Sequence, residues 1–189
     1  MAEEPDITVL LQRLQRLEDE RDIAALIASY GPAVDSADAD IAAELWVQDG
    51  IYDVEGWRMG SAADVRAMVS SESHRELVAS GCCHFLGPVV VTVTGSDAVA
   101  LCESLVLLRR EAPLPDSTFD HQAWKVSAQE YLVWRATANT FELARTDCGW
   151  RIVRRISRML NGDPAAHRLL RSGLAGLRAA DPEGQQNGR

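Results

Sequence analysis

The spacing of apolar residues changes once along this chain, and that change restricts the folds open to it. In the first third, apolar side chains recur three and four residues apart: Ile7, Leu10, Leu11, Leu14 and Leu17, then Ile23, Leu26, Ile27 and Tyr30. That is helical spacing. From Cys82 onward the chain reads as four long strands, at 82–94, 98–110, 128–145 and 150–158, with hairpin turns at Thr94-Gly95-Ser96-Asp97 and Asp147-Cys148-Gly149. Helices followed by consecutive strands predict an α+β domain, a curved antiparallel sheet wrapped around N-terminal helices to form a cone-shaped pocket. A cone lined by apolar residues with a few polar ones is a natural small-molecule site.

Local signals fill in this outline. Gly31-Pro32 is expected to kink or end the first helix, because proline lacks an N–H and clashes with the preceding turn; a short further turn then carries Asp35. Asp38 or Asp40 caps a second helix over 41–46, and Ser61 a third from Ala62 to about Ser71. Residues 51–54 form a short strand. Pro113-Leu114-Pro115-Asp116-Ser117 opens a long connection, through Ser127, expected to be a mobile flap or a flexible loop. Asp163-Pro164 starts a closing helix as cap and first helical residue, and the polar tail after Asp181 is expected to be disordered. The organisation is therefore a helical extension over 1–16, a cone domain over 17–172, and a tail over 173–189.

Composition removes several function classes. A net charge of −9 argues against nucleic acid, which needs a basic stripe. The arginines 151, 154, 155 and 158 alternate with Ile152, Val153 and Ile156, the pattern of a strand. Cys82, Cys83, Cys102 and Cys148 form no C-x-x-C pair, and no metal-ligand or glycine-rich phosphate motif is present, so neither metal nor cofactor is expected. The acidic N-terminus lacks a signal-peptide pattern, and no apolar stretch reaches membrane-spanning length. A soluble, cytoplasmic protein is expected.

His84 is the polar residue of interest in the apolar run Gly81-Cys82-Cys83-His84-Phe85-Leu86-Gly87, and Asp35 lies near the end of the first helix. A lone histidine on such a strand is ordinarily a satisfied core or edge residue. Paired with an aspartate, it is a base: the carboxylate takes the proton of one ring nitrogen and leaves the other free. Tyr30, Asn139 and Arg155 are candidate donors to developing negative charge. Tyr30 could equally be packing, and Asn139 could be bonding backbone. Tyr52, Tyr131, Trp134 and Trp46 shape the pocket or the core, with Trp46 and Trp150 in the core. Cys82 shares the sheet face of His84 and is read as a small lining residue.

The chain resembles the SnoaL-like branch of the nuclear transport factor 2-like superfamily over roughly residues 17–172. Four stretches carry the resemblance: Tyr30-Gly31-Pro32-Ala33-Val34-Asp35-Ser36-Ala37-Asp38, Asp49-Gly50-Ile51-Tyr52-Asp53-Val54-Glu55-Gly56, Cys82-Cys83-His84-Phe85-Leu86-Gly87 and Gly149-Trp150-Arg151-Ile152-Val153. The resemblance implies that Asp35 and His84 match the dyad of the family's dehydratases and dehydrochlorinases. It places Tyr30, Asn139 and Arg155 at substrate-contacting positions, with Arg155 turned into the cone. Scytalone dehydratase carries a second histidine where this chain reads Leu107-Leu108-Arg109, and its two active-site tyrosines fall at Val34 and about Val54. That enzyme's water-positioning apparatus is therefore absent.

The expectation is a cofactor-independent lyase or isomerase acting on an apolar, cyclic small molecule by dehydration, elimination, double-bond migration or polyketide-type cyclisation. The alternatives are a ligand-binding protein without turnover and an assembly subunit like the small β subunit of ring-hydroxylating dioxygenases. Epoxide hydrolysis lacks the needed acidic pair on the late strands. Apolar residues outside the cone (Leu132, Trp134, Val153) and on the closing helix (Leu169, Leu170, Leu174, Leu177) predict a homo-oligomer, a trimer rather than a dimer.

Overall fold

The computed structural model describes residues 6–111 and 129–180; the expected flap at Pro113–Ser127 and the tail after Asp181 lie outside the described residues. Helix α1 spans Ile7–Asp35, capped by Asp6, whose carboxylate accepts the Thr8 N–H. Gly31-Pro32 does not stop it: Pro32 lies inside the helix, and the chain stays helical for three more residues. A proline so near the end forfeits little of the remaining ladder, and buried Ala33 and Val34 hold the final turn on the core. The stop comes at Ala37, in the left-handed region at φ 55°. There the Ala37 and Asp38 N–H groups donate to the carbonyls of Val34 and Ala33, a Schellman closure with alanine where glycine is usual.

Helix α2 (Ala39–Glu44) is capped by Asp38 and leads into β1 (Trp46–Val54), longer than the short strand expected. Strand β2 (Trp57–Met59) returns antiparallel to β1. Helix α3 (Ala62–Ser70) has the expected Ser61 cap. A further helix, α4 (Glu72–Ala79), goes beyond the expected elements; Ser71 ends α3 and caps α4 at once. The single strand expected over 82–94 is two, β3 (Cys82–Leu86) and β4 (Val90–Thr94), interrupted at Gly87-Pro88-Val89, where proline has no N–H for the ladder. Strands β5 (Asp97–Glu111), β6 (Gln129–Thr146) and β7 (Gly149–Met159) follow, then α5 (Pro164–Leu174) with Asp163 as cap.

The sheet order is β2-β1-β7-β6-β5-β3, with β4 also on β5. It is not wholly antiparallel, because β1 and β7 run parallel. Most of the domain separates these two strands, so no hairpin dictates their direction. Asp53 ties them: it accepts both Arg158 guanidinium nitrogens at 2.6 and 2.9 Å and the Gly56 N–H at 2.9 Å. Burial pushes the Asp53 carboxyl up, but these bonds outweigh it and hold it below the usual range. Ile23, Ile27 and Val34 of α1 pack with Trp46, Phe141, Leu143, Trp150 and Ile152, placing Trp46 and Trp150 in the core as expected. On α5, Leu169 is buried in a smaller cluster with Ile156 and so is not part of an uncovered surface, whereas Leu174 at its end and Leu177 beyond it are exposed.

Candidate active site

The site starts where α1 crosses β3. A Cβ on Gly31 would fall well inside van der Waals contact with the His84 carbonyl oxygen, so only glycine lets the helix lie this close. One turn further on, Asp35 reaches β3. Its Oδ2 accepts the His84 backbone N–H at 2.7 Å, and its Oδ1 lies 2.6 Å from His84 Nδ1. A carboxylate there accepts, which assigns the proton to Nδ1 and leaves Nε2 as the basic nitrogen. Nε2 makes no hydrogen bond among the described residues.

A second imidazole stands beside this pair. His74, on α4, is buried, and its Nε2 donates to the Val34 carbonyl at 2.9 Å, bracing the turn that carries Asp35. Its ring centroid is 6.2 Å from that of His84. Sequence reasoning missed His74 because the Ser71 cap that announces α4 also reads as the end of α3.

Across the chamber lies Arg155. It is 3% exposed, and its guanidinium carbon sits 4.2 Å from the Tyr30 ring centroid, 4.5 Å from that of Tyr52 and 5.1 Å from that of Phe141. Cation–π contact offsets part of its desolvation. Nε and Nη2 donate to Asn139 Oδ1 at 3.1 and 2.8 Å, while Nη1 is buried with no hydrogen-bond partner. Asn139 corrects the sequence reading. It is wholly buried, and its Nδ2 donates to Ser104 Oγ and Thr137 Oγ1, each at 3.0 Å. With both ends of its amide committed, it holds Arg155 and does not line the chamber.

Tyr30, Tyr52, His84 and Arg155 all line one chamber of about 130 Å³, together with Val54, Leu86, Ser104 and Thr137. Burial drives the Tyr30 phenol well above its ordinary pKa, so it stays a neutral donor. Cys82 does not line the chamber; its Sγ is 3.7 Å from His84 Nδ1, on the Asp35 side. Burial, then the Asp35 charge, pushes its thiol up to about 11. Asp35, Cys82 and His84 present ligand atoms within 4.8 Å of one another and could hold a cation. Both carboxylate oxygens are however engaged by His84, and a protonated thiol is a poor ligand.

Trp134, expected both to shape the pocket or core and to lie on the sheet face outside the cone, borders the pocket. A bulge between the pairs Val106–Arg135 and Leu107–Val133 turns it to the mouth instead. There Trp134, Trp57 and Met68 border both the chamber and an outer cavity of about 830 Å³. Tyr131 is exposed, as are Leu132 and Val153.

The model of the SnoaL-like domain matches residues 15–156. The chain belongs to the SnoaL-like domain family. An NTF2-like protein with a cystatin-like fold from Novosphingobium aromaticivorans is 41% identical, covering 87% of this chain and 97% of its own at a TM-score of 0.74. Rv3472 of Mycobacterium tuberculosis, of unknown function, is 21% identical over 97% of this chain and 88% of its own, TM-score 0.59. A proposed scytalone dehydratase from Novosphingobium aromaticivorans is 14% identical over 76% of this chain and 85% of its own, TM-score 0.55. These last two share the fold alone. No curated protein matches the chain. The SnoaL-like family includes cofactor-independent enzymes, and an α+β chain with N-terminal helices and an open curved sheet is one of its members. No helix among the described residues is long and apolar enough to cross a membrane.

Proposed function

We propose that this protein is a cofactor-independent lyase or isomerase that removes a proton from a carbon acid on an apolar, ring-containing small molecule. One observation carries the reading. A buried guanidinium with an unpartnered Nη1 faces the same chamber as a histidine whose Nδ1 proton is fixed by a carboxylate. His84 Nε2 takes the proton from a carbon next to a carbonyl. The C–H electron pair becomes a C=C bond, and charge moves onto the carbonyl oxygen, where Arg155 Nη1 and the neutral Tyr30 phenol are available as donors. The enolate then expels a β leaving group with its bonding pair, or is reprotonated at another carbon. The dyad favours turnover over ligand storage, since a storage pocket gains nothing from an oriented base.

The test is solvent exchange. A cyclic aryl ketone such as a tetralone, incubated with the protein in deuterated water, gains deuterium at the carbon next to its carbonyl. His84→Ala slows this by about 10²–10⁴-fold, the usual worth of a general base. Exchange survives a chelator. Undiminished exchange by His84→Ala rejects His84 as the base; tight binding of the ketone with no exchange favours a ligand-binding protein instead.

A further inference from the structure

Helix α1 changes its apolar side partway along. From Asp19 onward its buried residues are Asp19, Ile23, Ile27, Tyr30, Gly31, Ala33 and Val34, the side facing the core. Over the preceding three turns, Ile7, Leu10, Leu11, Leu14 and Leu17 form a single stripe, and each is between 39% and 67% exposed. At about 100° per residue this stripe lies on roughly the opposite side of the helix from the core-facing residues. The chain's own core therefore cannot cover it. The same side further along carries Glu18, Arg21 and Asp22, so the apolar patch is bounded, about 17 Å long.

Its spacing identifies the occupant. Ile7, Leu10, Leu14 and Leu17 follow the three-four alternation of a heptad seam, the narrow stripe that pairs with another helix rather than with a sheet. In a parallel pairing, Arg13 flanks the seam five residues before Glu18, the offset at which opposite charges meet across two strands. The pair would form twice by symmetry. Residues 7–17 are exposed on every face of the helix, so among the described residues nothing obstructs a partner at the seam. A two-heptad helix would be marginal alone, but here it continues directly into the packed part of α1. The match to the SnoaL-like domain starts only at residue 15, so most of the stripe precedes it. From these observations we infer that the first three turns of α1 are a self-association arm, pairing in parallel with the same arm of a second copy of this chain.

The experiment is light scattering on the full chain at micromolar concentration, with circular dichroism to verify folding. Leu10→Glu with Leu14→Glu lowers the apparent mass across a dilution series. Arg13→Glu alone weakens association, and Arg13→Glu with Glu18→Arg restores it. An unchanged mass in the double leucine variant overturns the inference. Failure of the charge swap to restore association overturns the parallel helix-to-helix pairing. Binding to anionic lipid vesicles that is lost in the leucine variant, with no change in mass, assigns the stripe to a membrane surface instead.

Discussion

His84 and Arg155 line the same chamber, and the partners behind them, Asp35 and Asn139, hold them in opposite ways. Asp35 and His84 meet at an edge, where the end of a helix touches the last strand of the sheet; both side chains stay partly exposed, at 23% and 18%. Arg155 and Asn139 sit on central strands β7 and β6, both buried, with Ser104 and Thr137 accepting from the Asn139 amide. A base must exchange protons with solvent and substrate, so it needs access. A cation meant to meet developing negative charge gains strength from being dry, because water would screen it. On the proposed reading, the exposure of the edge pair suits proton traffic and the dryness of the central pair suits a fixed field.

The most severe way to break this contrast is at Gly31. Gly31→Ala drives a methyl group into the His84 carbonyl, so α1 must back away from β3 and carry Asp35 with it. Stability falls by about 3 kcal/mol, the upper range for overpacking, and proton exchange is lost together with it. Denaturant unfolding checks the first and the exchange assay the second. Native stability in this variant would mean that the close approach is not needed.

The contrast itself is sharpened by comparing Asn139→Ala with Asp35→Asn. Removing Asn139 strips a buried charged group of two hydrogen bonds and costs roughly 2–3 kcal/mol of stability. Asp35→Asn sits at the partly exposed edge and costs less than about 1 kcal/mol, yet it loses the carboxylate that fixes the imidazole tautomer, so activity falls about 100-fold or more. Equal stability losses in the two variants would erase the distinction.

Much of this arrangement is legible in the sequence. The His84 strand, the Asp35 helix end and the helix-then-sheet order all rest on local patterns that a sequence displays. Asn139 is misread there because its partners, Ser104, Thr137 and Arg155, come from three strands, and cross-strand register is not written in any one of them. Arg155 can be turned inward only by resemblance, since Arg154 beside it has equal claim by periodicity. The parallel β1–β7 pairing is hidden for the same reason: long-range pairing decides it. Gly31 is visible but misleading. Beside proline it looks like a stop, whereas its role is set by a strand more than fifty residues later.

A gentler perturbation is acid. Asp53 bridges the two parallel strands, and Asp19 accepts from Trp150, Arg145 and Gln15; hydrogen bonds outweigh burial and hold both carboxyls below their ordinary range. Between the folded and unfolded values the unfolded chain binds more protons, so stability rises with pH there. The contribution is complete above the unfolded carboxyl pKa, near 3.8, and is lost as pH falls through the lower folded values. Melting temperature should therefore drop steeply below about pH 4, and Arg158→Gln should flatten that drop. An unaltered acid profile in Arg158→Gln would remove Asp53 from the account.

The smallest expected effect is a gain, and it lies beside the edge pair. Ala37 closes α1 in the left-handed region, two residues after Asp35, where a Cβ is strained. Ala37→Gly relieves that strain but gives the unfolded chain more freedom, so the net gain is only about 0.5 kcal/mol. The hydrogen bonds of the closure, Ala37 N–H to Val34 and Asp38 N–H to Ala33, are backbone bonds and remain. Val34 also accepts from His74, so the turn carrying Asp35 is braced from two sides and should not shift. Denaturant midpoint should therefore rise slightly while exchange rate stays at the wild-type value. If the rate falls with the gain in stability, the dyad is using the strain of this turn, and the edge pair is less independent of its backbone than its exposure suggests.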